Sequence, residues 1–275
     1  MPELPEVETI RRDLAPLLEG RTIAHVVIRP GAERLAVTDP PRVMERELTG
    51  RRVDSLDRHG KYLLASLDDG RVWVMHLRMT GSLVMHEPAV EAPAHRFERA
   101  RVDLDDGRSL RLNDMRKFAT WHLVDDPAEA MPNAGPDALS DDFSPRWLHE
   151  QLRRRRTSVK AVLLDQRVAA GVGNIYADEA CWIAGIDPRT TARRIGAKRA
   201  ERLHAAVRET LLESLSDRGT SFSDYRDGLG APGLHAVRVH VFRREGEACE
   251  RCGGEIRKLR VAGRGTHMCS GCQRR

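Results

Sequence analysis

Aromatic side chains are scarce in this 275-residue chain, which has four Trp, three Tyr and five Phe. They are scattered and form no platform on which successive bases of a single strand could stack, which argues against a zinc-ribbon RNA-binding factor. Long apolar runs are absent as well. No stretch approaches the roughly 18 residues of a membrane-spanning helix, so none is expected. The opening Met1-Pro2-Glu3-Leu4-Pro5-Glu6 has neither a basic segment nor an apolar one. No secretory signal is therefore expected, and a reducing cytoplasm is the expected compartment. Lysine is the third scarcity: of 46 basic residues only Lys61, Lys117, Lys160, Lys198 and Lys258 are lysines. Where arginine serves almost everywhere, a lysine can mark a place that needs a compact ammonium.

The net charge of +5 is concentrated at one end. Residues 241–275 hold nine basic and four acidic side chains, and the remainder of the chain is balanced. The same tail carries four of the five cysteines. A basic, cysteine-bearing end points to a polyanion such as nucleic acid, the plainer alternative being a solvated tail.

The length fits two domains, each able to bury a core. Val7, Ile10, Leu14, Leu17 and Leu18 fall at helical spacing, and Gly20 ends the run. From 22 to 124 the pattern changes to short β-rich runs at 22–28, 62–67, 71–77, 100–104, 109–112 and 119–124. Asp-Asp-Gly turns at 68–70 and 105–107 each separate two such runs, a hairpin signal. One helix followed by antiparallel hairpins suggests a β-sandwich with a helix packed on it. Residues 126–146 are proline-rich and read as a linker. Beyond it, 145–154, 158–164, 175–184 and 197–216 read as helices, with Ser158 as a cap and Gly219 closing the last. Residues 228–233, with three glycines, read as a mobile loop, and the tail turns β-like around its cysteines. The fold class expected is α+β. Its domains are an N-terminal sandwich over 1–125, a helical domain over 147–235 and a cysteine-bearing module over 236–275.

Three groups of residues carry chemistry. Cys249-x2-Cys252-x16-Cys269-x2-Cys272 has the spacing of a four-thiolate zinc site, and a cytoplasmic chain disfavours the alternative of two disulfides. Four thiolates leave no open position, so one structural zinc is expected, presenting a hairpin that contains Arg257, Lys258, Arg260 and Arg264. Cys181, alone on a helical stretch, reads as a core residue. Second, removal of Met1 would expose the secondary amine of Pro2. An α-amino group titrates near about 7.7–8.0, so a useful fraction is neutral and nucleophilic at physiological pH. Glu3 and Glu6 lie close enough in sequence to move protons beside it; a helix start with capping acids is the plainer reading. Third, Gly171-Val172-Gly173-Asn174-Ile175-Tyr176 runs into a helix, where Asn174 could cap the helix or bind phosphate.

Taken together, the motifs resemble the formamidopyrimidine-DNA glycosylase family. They are Pro2-Glu3-Leu4-Pro5-Glu6-Val7-Glu8-Thr9, His59-Gly60-Lys61-Tyr62-Leu63, Leu164-Asp165-Gln166-Arg167, the run from Ala169 through Gly171-Val172-Gly173-Asn174 to Ala180, and Gly263-Arg264-Gly265-Thr266 before Cys269. They occur in the family's order and spacing from residue 2 to 273. The resemblance implies a helix–two-turn–helix motif and a zinc finger in the C-terminal part, with DNA in the cleft between the domains. It implies excision of oxidised purines, chiefly 8-oxoguanine and formamidopyrimidines, from a nucleotide flipped out of duplex DNA. A bacterial, nucleoid-associated monomer acting on damaged or abasic duplex DNA, with no membrane partner, is expected.

The family's roles carried onto this chain make Pro2 the nucleophile at C1′, Glu3 the general acid/base and Glu6 a supporting carboxylate. Lys61, Asn174 and Arg264 would hold phosphate or sugar around the flipped nucleotide, with Lys61 and Arg264 also counted as catalytic. Met79, Arg116 and Phe118 would fill the void it leaves. Two departures stand out. The family's Asp-Pro-Arg-Arg-Phe-Gly reads Asp114-Met115-Arg116-Lys117-Phe118-Ala119 here, a loop of different stiffness at the place that senses the opposite base. Arg78 also stands where the family usually has glycine before the void-filling methionine. Residues 220–233 match the region that covers the flipped base. An endonuclease VIII-like enzyme for oxidised pyrimidines is the nearest alternative, but it typically begins Pro-Glu-Gly-Pro-Glu, and Leu4 departs from that. A non-catalytic sensor of damaged or abasic DNA is the other, and it has no need of an amine nucleophile.

Overall fold

The computed structural model describes residues 2–88, 95–222 and 225–275. The chain divides into two compact units, Met1–Pro132 with Asp217–Ala236, and Asn133–Ser216 with Val237–Arg275. Residues 217–235, grouped by sequence with the helices, therefore pack with the N-terminal unit. No helix among the described residues is long and apolar enough to cross a membrane.

The first unit contains α1 (Leu4–Leu18), β1 (Ile23–Ile28), α2 (Pro41–Leu48), β2 (Val53–His59), β3 (Tyr62–Leu67), β4 (Val72–His76), β5 (Gly81–His86), β6 (Glu98–Leu104), β7 (Ser109–Asp114), β8 (Thr120–Val124) and α3 (Pro127–Ala130). Among the described residues the strands form two four-stranded antiparallel sheets, ordered β1-β6-β7-β5 and β2-β3-β4-β8. Both Asp-Asp-Gly turns close hairpins, with Gly70 N–H donating to Leu67 O at 3.0 Å and Gly107 N–H to Leu104 O at 3.0 Å. Inward residues of the two sheets, including Val102, Leu112, Leu63 and Trp73, join α1's Val7, Ile10, Leu14 and Leu18 in one core. Trp73 and Trp121 meet edge to face there, with ring centroids 4.8 Å apart.

Helix α2 and strands β2 and β5 escape the sequence pattern for physical reasons. Strand β2 buries only Val53 and Leu56, a spacing of three where a strand's period is two. Helix α2 is capped by one proline, starts at a second and buries only Met44 and Leu48. Strand β5 starts at a glycine and is six residues long. The proline-rich stretch read as a linker contains α3, capped by Asp126.

The second unit contains α4 (Pro145–Arg153), α5 (Val159–Leu164), α6 (Asn174–Ile183), α7 (Ala197–Ser216), β9 (Ile256–Val261) and β10 (Arg264–Cys269). Serines start two of the helices: Ser144 Oγ accepts from Trp147 N–H at 3.1 Å and Ser158 Oγ from Ala161 N–H at 3.2 Å. Leu148, Leu152, Val162, Ala177, Leu203, Val207 and Leu211 are buried, and Cys181 is a fully buried core residue, as expected. Strands β9 and β10 pair antiparallel around a two-residue turn, Ala262-Gly263.

Helix α1 is tied to the β2–β3 turn by a charge cluster. Glu8, 8% exposed, accepts from Arg11, Arg12 and Arg58 at 2.8–3.0 Å, and Arg58 also donates to Gly60 O at 2.9 Å. Burial alone would raise the Glu8 carboxyl, but the three guanidinium partners outweigh it and bring it down to about 2. Glu8→Gln is expected to cost on the order of 3 kcal/mol at neutral pH. Because the folded carboxyl titrates below its ordinary value of 4.5, the gap is complete above that pH and is lost as pH falls toward about 2. Urea unfolding of both proteins at roughly pH 7 and pH 3 checks this; a gap that stays constant contradicts it.

Candidate functional site

In the first unit the chain start is buried. Pro2 is buried, and Glu3 and Glu6 are 2% and 1% exposed. Glu3 is the N-cap of α1 and forms a reciprocal capping box with Glu6, in which Glu3 N–H donates to Glu6 Oε2 at 2.8 Å. The other Glu6 oxygen accepts from Thr220 N–H at 2.7 Å, and Tyr225 Oη donates to Glu6 O at 3.3 Å. Burial and the neighbouring Glu6 push the Tyr225 phenol up, so it stays a donor. Further along the same face of α1, Asp13 accepts from Arg218 at 2.6 Å and from Gly228 N–H at 3.1 Å. The segment matched to the base-covering region is therefore fastened to α1 at both Glu6 and Asp13. Its Ser223 and Asp224 lie outside the described residues.

Lys61 occupies the β2–β3 turn, between His59 and Tyr62, which are paired partners, and is 8% exposed. His76, opposite Tyr62 in the sheet, is also buried and packs edge to face on the Tyr62 ring. Burial, helped by the Arg78 and Lys61 charges, brings the His76 imidazole down to about 3, so it is neutral at physiological pH.

Met79, Arg116 and Phe118 are brought together at the surface. Met79 is 39% and Phe118 45% exposed. Arg116 Nη1 lies 3.0 Å from Met79 Sδ, and its guanidinium carbon lies 4.6 Å from the Phe118 ring centre. Sequence reading missed the residue that arranges them. Asp114, fully buried, accepts from Arg116 N–H at 3.1 Å, Phe118 N–H at 2.7 Å and Ala119 N–H at 2.8 Å, and Thr80 Oγ1 donates to it as well. Asp114 thus shapes its own loop and ties it to the turn that carries Met79.

In the second unit Asn174 and Arg264 are neighbours. Asn174 opens α6, and its Nδ2 donates to Gly265 O at 3.1 Å, while the Arg264 side chain beside it is exposed. The same carbonyl accepts from Lys160 Nζ at 3.0 Å. Lys160 is fully buried, pairs with Asp178 at 2.7 Å and donates to Thr266 Oγ1 at 2.7 Å; the other Asp178 oxygen accepts from His267 N–H at 2.9 Å. This buried pair locks α5 and α6 to β10. The scarcity of lysine was its sequence signal, since Lys61 and Lys160 are the buried members of that small set.

The four tail cysteines converge. Their sulfurs lie within 4.8 Å of one another, with Cys249 to Cys272 at 3.7 Å and Cys252 to Cys269 at 3.4 Å. Zinc–sulfur bonds of about 2.3 Å in a tetrahedron place sulfurs about 3.8 Å apart, so the set fits one zinc. Burial opposes charge on Cys249, but the Trp182 indole N–H, 3.4 Å away, and backbone amides bring its thiol down to about 6. Burial and the neighbouring sulfurs push Cys272 up to about 12, so four thiolates require a bound dication. A Cβ added at Gly271 would lie 3.0 Å from Cys252 Sγ, so that sulfur would have to give by a few tenths of an ångström and leave its ligand position. Gly271→Ala is therefore expected to speed zinc loss to a chelator by about tenfold or more, read by a colorimetric zinc indicator. Zinc release at the wild-type rate would contradict this packing argument.

Comparison with known proteins covers nearly the whole chain. The model of the formamidopyrimidine-DNA glycosylase N-terminal domain matches residues 1–121, that of its H2TH domain matches 134–225, and a zinc finger found in FPG and IleRS matches 246–275. The formamidopyrimidine-DNA glycosylase of Symbiobacterium thermophilum is 46% identical over 99% of this chain and 89% of its own length. That of Chloroflexus aurantiacus is 42% identical over 99% and 98%. Among solved structures, Lactococcus lactis Fpg with DNA containing an abasic site aligns with a TM-score of 0.90 at 33% identity, covering 99% of this chain and 100% of that one. The MutM (Fpg) protein of Thermus thermophilus aligns at 0.88 with 40% identity, covering 99% and 98%. The chain belongs to the formamidopyrimidine-DNA glycosylase family.

Proposed function

We propose that this protein is a base-excision-repair DNA glycosylase and abasic-site lyase that removes oxidised purines from duplex DNA, with Pro2 as its nucleophile. The observation that carries this reading is the buried start of α1, where Pro2 adjoins two buried carboxylates held in a fixed hydrogen-bond arrangement. With Met1 removed, the Pro2 nitrogen lone pair attacks C1′, and the C1′–base electron pair leaves with the base, which takes a proton. Glu3 takes the proton from the Pro2 nitrogen and passes it to O4′ as the C1′–O4′ bond breaks, which opens the sugar ring and gives an iminium ion at Pro2. The iminium acidifies the C2′ hydrogen; its loss expels the 3′ phosphate, and a second elimination expels the 5′ phosphate. Glu3 is the acid/base for these transfers, and Glu6 holds Glu3 in place.

The other assignments follow the same logic. Lys61, the buried cation of the β2–β3 turn, serves as a sugar or phosphate contact. Met79, Arg116 and Phe118 fill the void left by the flipped nucleotide, and Asn174 and Arg264 hold backbone phosphates. In domain terms, the unit containing 2–132 and 217–236 carries the chemistry, and the other contributes phosphate contacts and the zinc finger. The finger's one zinc has no open coordination position and supplies structure. A monomer in the bacterial cytoplasm, associated with the nucleoid, is part of the same proposal.

The test is borohydride trapping on a duplex carrying 8-oxoguanine opposite cytosine. A covalent protein–DNA adduct is expected, because hydride freezes an iminium. Trapping on an abasic duplex but not on 8-oxoguanine would move the lesion choice to oxidised pyrimidines. Trapping on neither would leave a damage-binding protein. Glu3→Gln is expected to lower single-turnover base release by about 10²- to 10⁴-fold.

A further inference from the structure

We propose that Arg78 is a phosphodiester-binding residue of this chain, gripping the DNA backbone beside the Met79 wedge. The proposal rests on the DNA-binding reading above. Residues 77–81 form a tight turn between β4 and β5, in which Gly81 N–H donates to Leu77 O at 3.1 Å. An added Cβ at Gly81 would sit 2.4 Å from that carbonyl oxygen, so the turn admits only glycine there. Its tip presents Arg78 and Met79, both exposed.

Arg78 takes φ of +55°, in the left-handed region that favours glycine. Its N–H donates to His76 Nδ1 at 2.8 Å, which holds the strained backbone. A glycine would meet the needs of the turn without strain. What the strained residue adds is an exposed guanidinium on the residue that precedes the wedge, close enough for its charge to act on His76 and His122.

The charge around it favours an anion. Among the described residues Arg78 makes no ion pair, as is also true of Arg116, whereas Arg29, Arg58, Arg71 and Arg108 in the same unit do. The charges that act most strongly on His76 are those of Arg78, Lys61 and His122. His122 is itself held below its ordinary value by burial and then by the Arg78 charge. A guanidinium with no ion-pair partner among the described residues, on the residue next to a side chain proposed to enter DNA, suits a phosphate oxygen pair.

The experiment measures binding of the wild-type protein, Arg78→Gly and Arg78→Gln to a duplex with a tetrahydrofuran abasic analogue. Dissociation constants are read by anisotropy across a sodium chloride series. Loss of one phosphate contact should reduce the slope of log K against log salt by about 0.9, equivalent to about eightfold weaker binding at roughly 0.1 M salt. Both variants should show this loss, and Arg78→Gly should melt no lower than wild type because its strain is relieved. Arg78→Gln keeps a side chain at the same φ, so an equal slope change there assigns the effect to the charge. Unchanged slopes in both variants, or tighter binding by Arg78→Gly, would overturn the proposal and leave Arg78 as a crowding residue. A wild-type protein that does not prefer the abasic duplex over an undamaged one would instead overturn the function on which the proposal rests.

Discussion

Glu6 holds the start of the chain in place, and most of what the first unit is proposed to do depends on it. Its two oxygens serve two separate segments, accepting from Glu3 N–H on one side and Thr220 N–H on the other. A nucleophile at the very end of a chain would ordinarily sample many positions. Here the following residue is a helix cap, and its amide is bonded to a carboxylate that is 1% exposed. Glu6 and Asp13 are seven residues apart and so share a helix face, while Val7, Ile10, Leu14 and Leu18 face the sandwich core. Helix α1 is thus buried on two sides, by the core and by the segment that includes Thr220 and Gly228.

The same device recurs through the molecule. Asp114 accepts from three backbone amides and a threonine hydroxyl, and Glu179 accepts from the amides of His240, Val241 and Phe242. Asp227 accepts from the amides of Leu229 and Ala231 while pairing with Arg218. Buried carboxylates that organise loops through amide donors can shape backbone without engaging every arginine. Arg78, Arg116 and Arg264 make no ion pair among the described residues, as befits side chains proposed to meet a polyanion. Lys160 uses the opposite arrangement: a buried cation collects Asp178, Gly265 O and Thr266, and so fixes the start of β10, which carries Arg264, where Asn174 also bonds it.

Patterns local in sequence were legible, and those set by tertiary contact were not. The Asp-Asp-Gly turns announced their hairpins because turn chemistry is encoded in adjacent residues. The cysteine knuckles announced the metal site by spacing alone, and α7 follows its apolar period over 20 residues. Strand β2 and helix α2 were hidden because each buries only two side chains. The fastening of 217–236 to α1 pairs Glu6 and Asp13 with residues more than 200 positions away, which no local pattern carries. Pro2, Glu3, Glu6 and Asn174 stood out by their own chemistry, and their roles, like those of Lys61, Met79, Arg116, Phe118 and Arg264, were reached through motif resemblance. Asp114 and Lys160, which position them, came from the structure, although the rarity of lysine had already set Lys160 apart.

The central claim is that chemistry starts at the Pro2 nitrogen. Peptide mapping of the borohydride-trapped adduct by mass spectrometry tests it most directly, since Lys61 is the buried competing amine of the same unit. The expected result is a deoxyribose-derived mass on a peptide that begins at Pro2, with Met1 absent. Attachment at Lys61, or an adduct on a protein that retains Met1, would contradict it.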